Sequence, residues 1–193
     1  MNVLSVLPEK VKLFFIHFLF ISSFFGYINS TEQVLIMFLN NKTYTLEREQ
    51  TISLPRSVVF EFFSNAHNLE LLTPSFLNFR ILNEGPIDIQ EGTIIDYKLR
   101  LFGVPFRWKT RIERFLSNQA FVDTQVNGPY ALWHHTHTFE DHGHGTVMRD
   151  IVLYRMPLGI LGSIAHLLFV RRTLETIFQF RHDALSRHLE VAS

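Results

Sequence analysis

The sequence predicts an α+β domain: a curved antiparallel sheet of about seven strands wrapped around one long C-terminal helix. Three observations predict it. Two consecutive segments, 95–101 and 106–112, alternate apolar and polar residues with a period of two. Residues 130–154 read as a hairpin of two further strands. From Leu158 to Leu189 the apolar spacing turns helical.

Taken in order, Tyr44–Ile52 alternates and reads as the first strand. Pro55 then suits the first turn of a helix, where its missing N–H costs nothing. Val58 to Phe63 is apolar on most sides, so this helix is expected to be buried. A second short helix follows from Asn65 and ends at Thr73-Pro74. Phe79–Asn83 is a short strand, and Glu84–Gly92 is loop by its Gly and Pro.

Ile95, Tyr97, Leu99 and Leu101 then share one face, with Asp96, Lys98 and Arg100 on the other. Beyond a turn at 102–105, Phe106, Trp108, Thr110 and Ile112 oppose Arg107, Lys109, Arg111 and Glu113. Such alternation describes a sheet with one wet side. Ala120–Val126 is a further strand. Tyr130–Glu140 and Thr146–Tyr154 pair around Asp141–His144, and Pro157 ends the sheet. A closing helix of roughly 30 residues spans roughly 45 Å, enough to cross the whole sheet. Strands wrapped around such a helix leave room for a small apolar ligand.

Composition excludes several functions. The chain has 193 residues, 18 basic and 18 acidic, so no global field draws it to nucleic acid. It has no cysteine, which removes disulfides, thiolate metal sites and cysteine nucleophiles. There is no serine elbow, phosphate loop or dinucleotide fingerprint.

Residues 1–36 form an apolar N-terminal extension set apart from the domain at 44–190. Leu13–Ile28 is a 16-residue apolar run preceded by Lys10 and Lys12. It reads as a signal peptide, as a short membrane anchor, or as sequence upstream of a true start at Met37. The last reading makes the protein cytoplasmic; the other two make it exported or membrane-anchored. Contact with a membrane is expected only if residues 13–28 are genuine. No core position is expected within 1–36.

Four segments carry a family resemblance. They are SLPRSVVFEFFSNAHNLELLTPSF (53–76), GTIIDYKLRLFGVPFRWKTRIERF (92–115), GPYALWHHTHTFE (128–140) and GTVMRDIVLYRMPLG (145–159). Over about 44–190 the chain resembles the SRPBCC superfamily of START-like, pollen-allergen-like and polyketide-cyclase-like helix-grip proteins. Its nearest pattern is a bacterial cyclase/dehydrase-like group. The resemblance implies the helix-grip fold and a cavity between sheet and C-terminal helix. It does not select one function, because the superfamily includes carriers, receptors and enzymes.

The resemblance also implies that Trp133, His135, His137 and Phe139 face inward, with Met148, Asp150, Val152 and Tyr154 beside them. The expected ligand-binding wall is Tyr97, Trp108, Trp133, His135, His137, Asp150 and Tyr154, with Leu161, Ile164 and Leu168 from the helix. If the turn is Asp141–His144, then His135 stands opposite Asp150 and His137 opposite Met148. A His135–Asp150 hydrogen bond would raise the histidine pKa and lower the aspartate's, with desolvation opposing each shift. His135, His137 and Asp150 are the candidate acid–base residues.

The histidines alone do not complete a metal shell, so no metal and no cofactor are expected. The expected function is binding of a small, mostly apolar molecule such as a lipid, quinone or polyketide. A cyclase/dehydrase-like enzyme and a membrane-tethered interaction module are the alternatives.

Overall fold

The computed structural model describes residues 42–190, Phe102 excepted. The 1–36 extension, with its apolar run 13–28, and Met37 lie outside the described residues. Seven strands form one antiparallel sheet: β1 (Thr43–Ile52), β2 (Arg80–Ile81), β3 (Ile94–Leu101), β4 (Val104–Leu116), β5 (Ala120–Asn127), β6 (Leu132–His142) and β7 (Gly145–Arg155). Their spatial order is β1-β7-β6-β5-β4-β3-β2. Helices α1 (Arg56–Ser64) and α2 (Asn68–Leu71) carry the chain from one sheet edge to the other.

The C-terminal helix runs through α3 (Gly159–Ala165), a π turn (His166–Val170), α4 (Arg171–Leu185) and a second π turn (Ser186–Glu190). This is the curved open sheet and long helix of the expected helix-grip fold.

Two apolar clusters clamp that helix to the sheet. Val59, Phe60 and Phe63 of α1 pack with Phe121, Phe139 and Met148 of the sheet and with Ala184 and Leu185 of α4. Leu46, Val152 and Tyr154 pack with Ala165, Phe169, Leu174 and Phe178. Register shifts in the β4–β5 ladder, at Lys109/Thr110 and Ile112/Arg114, are the irregularities that bend a sheet around a helix.

The β6–β7 hairpin is tighter than the sequence suggests. Its loop is two residues, Gly143 and His144, and His142 pairs with Gly145. Gly143 takes φ +60°, the left-handed conformation that a two-residue hairpin loop favours. Relative to the expected register the ladder slips by two residues. Asp150 therefore stands opposite His137, and Val152 opposite His135. An even slip keeps every side chain on its expected face.

The turn from β7 into α3 is equally tight. Leu158 and Gly159 both take positive φ. Gly162 lies so close to the Pro157 carbonyl that a Cβ there would clash with backbone.

Candidate functional site

A cavity of about 200 Å³ lies between the sheet, α1–α2 and α4. Its wall is mostly apolar and aromatic. Tyr97 and Trp108 are paired across β3–β4, and their rings stack at 6.0 Å. Trp133 meets Trp108 edge-on at 5.2 Å, and Tyr130 packs against both tryptophans. The helix contributes Leu174, Ile177 and Phe178.

Burial pushes the Tyr97 phenol far above its usual range, although Thr110, 3.1 Å away, bonds to it. Burial raises Tyr130 likewise. Both phenols are therefore neutral hydrogen-bonding groups.

Asp123, His135, His137 and Arg181 also line the cavity, and Asp150 lies behind the two histidines. Each histidine touches both carboxylates. His135 places Nε2 2.9 Å from Asp150 Oδ1 and Nδ1 3.4 Å from Asp123 Oδ2. His137 places Nδ1 2.7 Å from Asp150 Oδ1 and Nε2 3.0 Å from Asp123 Oδ2. Arg181 Nε is 3.2 Å from Asp150 Oδ2. The His137 Nδ1 and Arg181 Nε approaches lie off the hydrogen-bond direction, so they act through charge.

Burial would raise the Asp150 carboxyl, but the Arg181 and His137 charges and the bond from His135 hold it well below the carboxylate range. The Asp123 carboxyl is lowered too, its burial outweighed by the two histidines and Arg181. Burial and the neighbouring His137 charge push His135 down. For His137, burial is outweighed by the Asp150 charge and the bond to Asp123, so it is raised.

Five expected wall residues line the cavity: Tyr97, Trp108, Trp133, His135 and His137. Others are placed differently. His135 and Asp150 are bonded, as expected, but diagonally rather than directly opposed. The His135 pKa falls instead of rising, because burial and a second histidine outweigh the aspartates. Tyr154 lies in the core beyond the cavity, its hydroxyl 2.8 Å from His166 Nε2.

Leu161, Ile164 and Leu168 are exposed and do not reach the cavity. The buried face of this stretch is instead Gly159, Gly162, Ala165, His166 and Phe169. Gly162 lies against the Pro157 carbonyl and Met156 of the preceding turn, and Ala165 packs with Leu46, Val152 and Tyr154 of the sheet. The segment is apolar nearly all round, so its spacing could not mark the inward face.

Sequence reasoning missed Asp123 and Arg181. Both left a signal. Asp123 shares the strand parity of Phe121, which is buried. Arg181 falls on the Leu174, Phe178, Leu185 stripe of α4, where an arginine is out of place unless paired.

No curated protein matches the sequence at a significant level. Among solved structures it is similar to the protein TTHA0849 of Thermus thermophilus, at 16% identity and TM-score 0.62, over 78% of this chain and 99% of that one. The major latex-like protein 151 of Panax ginseng gives 13% identity and TM-score 0.57, over 76% and 97%. A nucleoside-diphosphate sugar epimerase from Corynebacterium glutamicum gives 23% and 0.55, over 75% of this chain but only 29% of the epimerase. At such identities the likeness establishes the fold alone. The family described as polyketide cyclase / dehydrase and lipid transport matches residues 52–178, and the chain belongs to that family.

Proposed function

We propose that this protein binds one small, mostly apolar molecule in the cavity between its sheet and its C-terminal helix. Family and fold are consistent with a hydrophobic ligand-binding domain. The observation that carries the reading is the cavity itself: an aromatic wall with the polar groups Asp123, His135, His137 and Arg181. An apolar cavity of about 150 Å³ takes up benzene. The space here suits a one- or two-ring compound, or part of an acyl chain, carrying a carbonyl or hydroxyl for the polar groups.

Native mass spectrometry of protein purified without detergent tests it. A co-purifying small molecule, lost on substitution of Trp108 and Trp133, is the expected outcome. A wild-type protein that is empty and takes up no apolar probe would reject the reading.

A second reading, contact with a membrane surface, has its own observation. Ile160, Leu161, Ile164, Leu167 and Leu168 form an exposed helical stripe, with Leu167 77% accessible. Arg171 and Arg172 continue it with exposed basic groups. Tyr44, near the point where the N-terminal extension joins β1, bonds to Ser163 of the same helix. Among the described residues no helix is long and apolar enough to cross a membrane, so the contact would be interfacial. Sedimentation with anionic vesicles, reduced by Leu167→Glu, is expected; equal sedimentation of both proteins would reject it.

A further inference from the structure

We propose that Asp123, His135 and His137 form a binding site for one divalent transition-metal ion, with Asp150 holding both histidines from behind. The inference does not rest on the apolar-ligand reading. It rests on how four side chains divide their donor atoms.

One ligand atom from each of Asp123, His135 and His137 lies within 4.8 Å of the other two; Asp123 Oδ2 faces His135 Nδ1 and His137 Nε2. The carboxylate oxygen is 3.4 Å from the first nitrogen and 3.0 Å from the second. Donors held at about 2.0–2.1 Å from one ion stand roughly 2.9–3.4 Å apart, from octahedral to tetrahedral angles. Two edges of the triangle already have that length.

The other nitrogen of each ring points away from Asp123. His135 Nε2 and His137 Nδ1 both converge on Asp150 Oδ1, at 2.9 and 2.7 Å. A carboxylate behind a ligating imidazole fixes its tautomer and its orientation. Here one carboxylate backs both rings, bonded to His135 Nε2 and held to His137 Nδ1 by charge, and Arg181 on Oδ2 balances its charge.

Only two of the four nitrogen–carboxylate approaches are hydrogen bonds, His135 Nε2 with Asp150 and His137 Nε2 with Asp123. The two ring centres are 3.8 Å apart and both residues are buried, so the pair of rings and the Asp123 carboxylate converge on one small space. A cation there would be met by one nitrogen of each ring and by the carboxylate together, with Asp150 behind both rings.

Two imidazoles and one carboxylate suit zinc or ferrous iron rather than calcium or magnesium. All three ligands line the cavity, so the remaining coordination positions open toward it. Hydroxyl and carbonyl oxygens entering the cavity are the chemistry such positions take. The turn histidines His142 and His144 are exposed and belong to no part of this set.

The test is titration of the chelator-treated full chain with Co²⁺ alone, followed by visible absorption, with Zn²⁺ as competitor. One Co²⁺ per chain with d–d bands, displaced by Zn²⁺, is expected. Asp150→Asn should weaken uptake about 10- to 100-fold, and Asp123→Asn and His137→Gln should weaken it further, with circular dichroism unchanged. Replacing His142 and His144 together should change nothing.

If Asp123→Asn does not fold, paramagnetic shifts of the His135 and His137 ring protons in Co²⁺-loaded wild type decide. Shifted protons support the site, and unshifted ones overturn it. No saturable uptake by folded wild type, or uptake that depends on His142 and His144 instead, overturns it as well.

Discussion

Asp150 Oδ1 lies 2.7 Å from His137 Nδ1, its direct partner across β6–β7, and 2.9 Å from His135 Nε2, two residues along the strand. One buried oxygen thus bonds one imidazole and faces the other through charge, and the second oxygen of the same carboxylate meets Arg181.

Removing that carboxylate should cost more than a surface pair would. Asp150→Ala strands the Arg181 charge in the interior, which costs about 3–5 kcal/mol. Joint replacement by Asp150→Leu and Arg181→Met should recover much of the loss, because no buried charge is left alone. Urea denaturation measures both variants. A loss below about 1 kcal/mol for Asp150→Ala would contradict a buried, charged cluster.

Trp108 and Arg107 are neighbours on opposite faces of β4: Trp108 is buried on the cavity wall and Arg107 is exposed. Trp108→Ala should weaken an apolar fluorescent probe, whereas Arg107→Ala and Leu161→Ser should not. Equal effects from all three would contradict the placement of the cavity.

Gly162 should not tolerate a methyl group. Its added Cβ meets the Pro157 carbonyl oxygen and the Met156 side chain. Because the first obstacle is backbone, relief requires moving the turn into α3, and Gly162→Ala should cost about 1–3 kcal/mol. A melting temperature equal to wild type would contradict the close approach.

His166 should titrate below an ordinary histidine. Burial, then the charges of Arg171 and Lys42, lower its pKa from 6.5, while Glu175 opposes them. Burial, foremost, and the neighbouring Tyr44 push the Tyr154 phenol up to about 12, so it stays protonated and donates to neutral His166. As pH falls below about 6.5 the unfolded chain gains a proton that the folded state resists, so this contribution to stability is lost toward acid. Ring NMR titration should give a midpoint under 6.5, and Tyr154→Phe should raise it by removing the donated O–H. A wild-type midpoint at or above the ordinary value would contradict the burial argument.

The amino-acid sequence by itself determined the element order, the inward faces of β3 and β4 and the single long helix. These follow from periods of two and 3.6, which neighbouring residues carry locally. With the family resemblance it also set the inward Trp133–Phe139 face, and an even slip in register left that face intact.

Only the tertiary structure decided which residues meet. Asp123 reaches the histidines because β5 lies beside β6, and Arg181 reaches Asp150 because α4 crosses the sheet at one particular rotation. Leu161, Ile164 and Leu168 turned outward for the same reason. Where a helix is apolar all round, no local pattern chooses its buried side. Tertiary packing makes that choice: Gly162 is pressed against the Pro157 carbonyl of the turn and Ala165 against Leu46, Val152 and Tyr154 of the sheet.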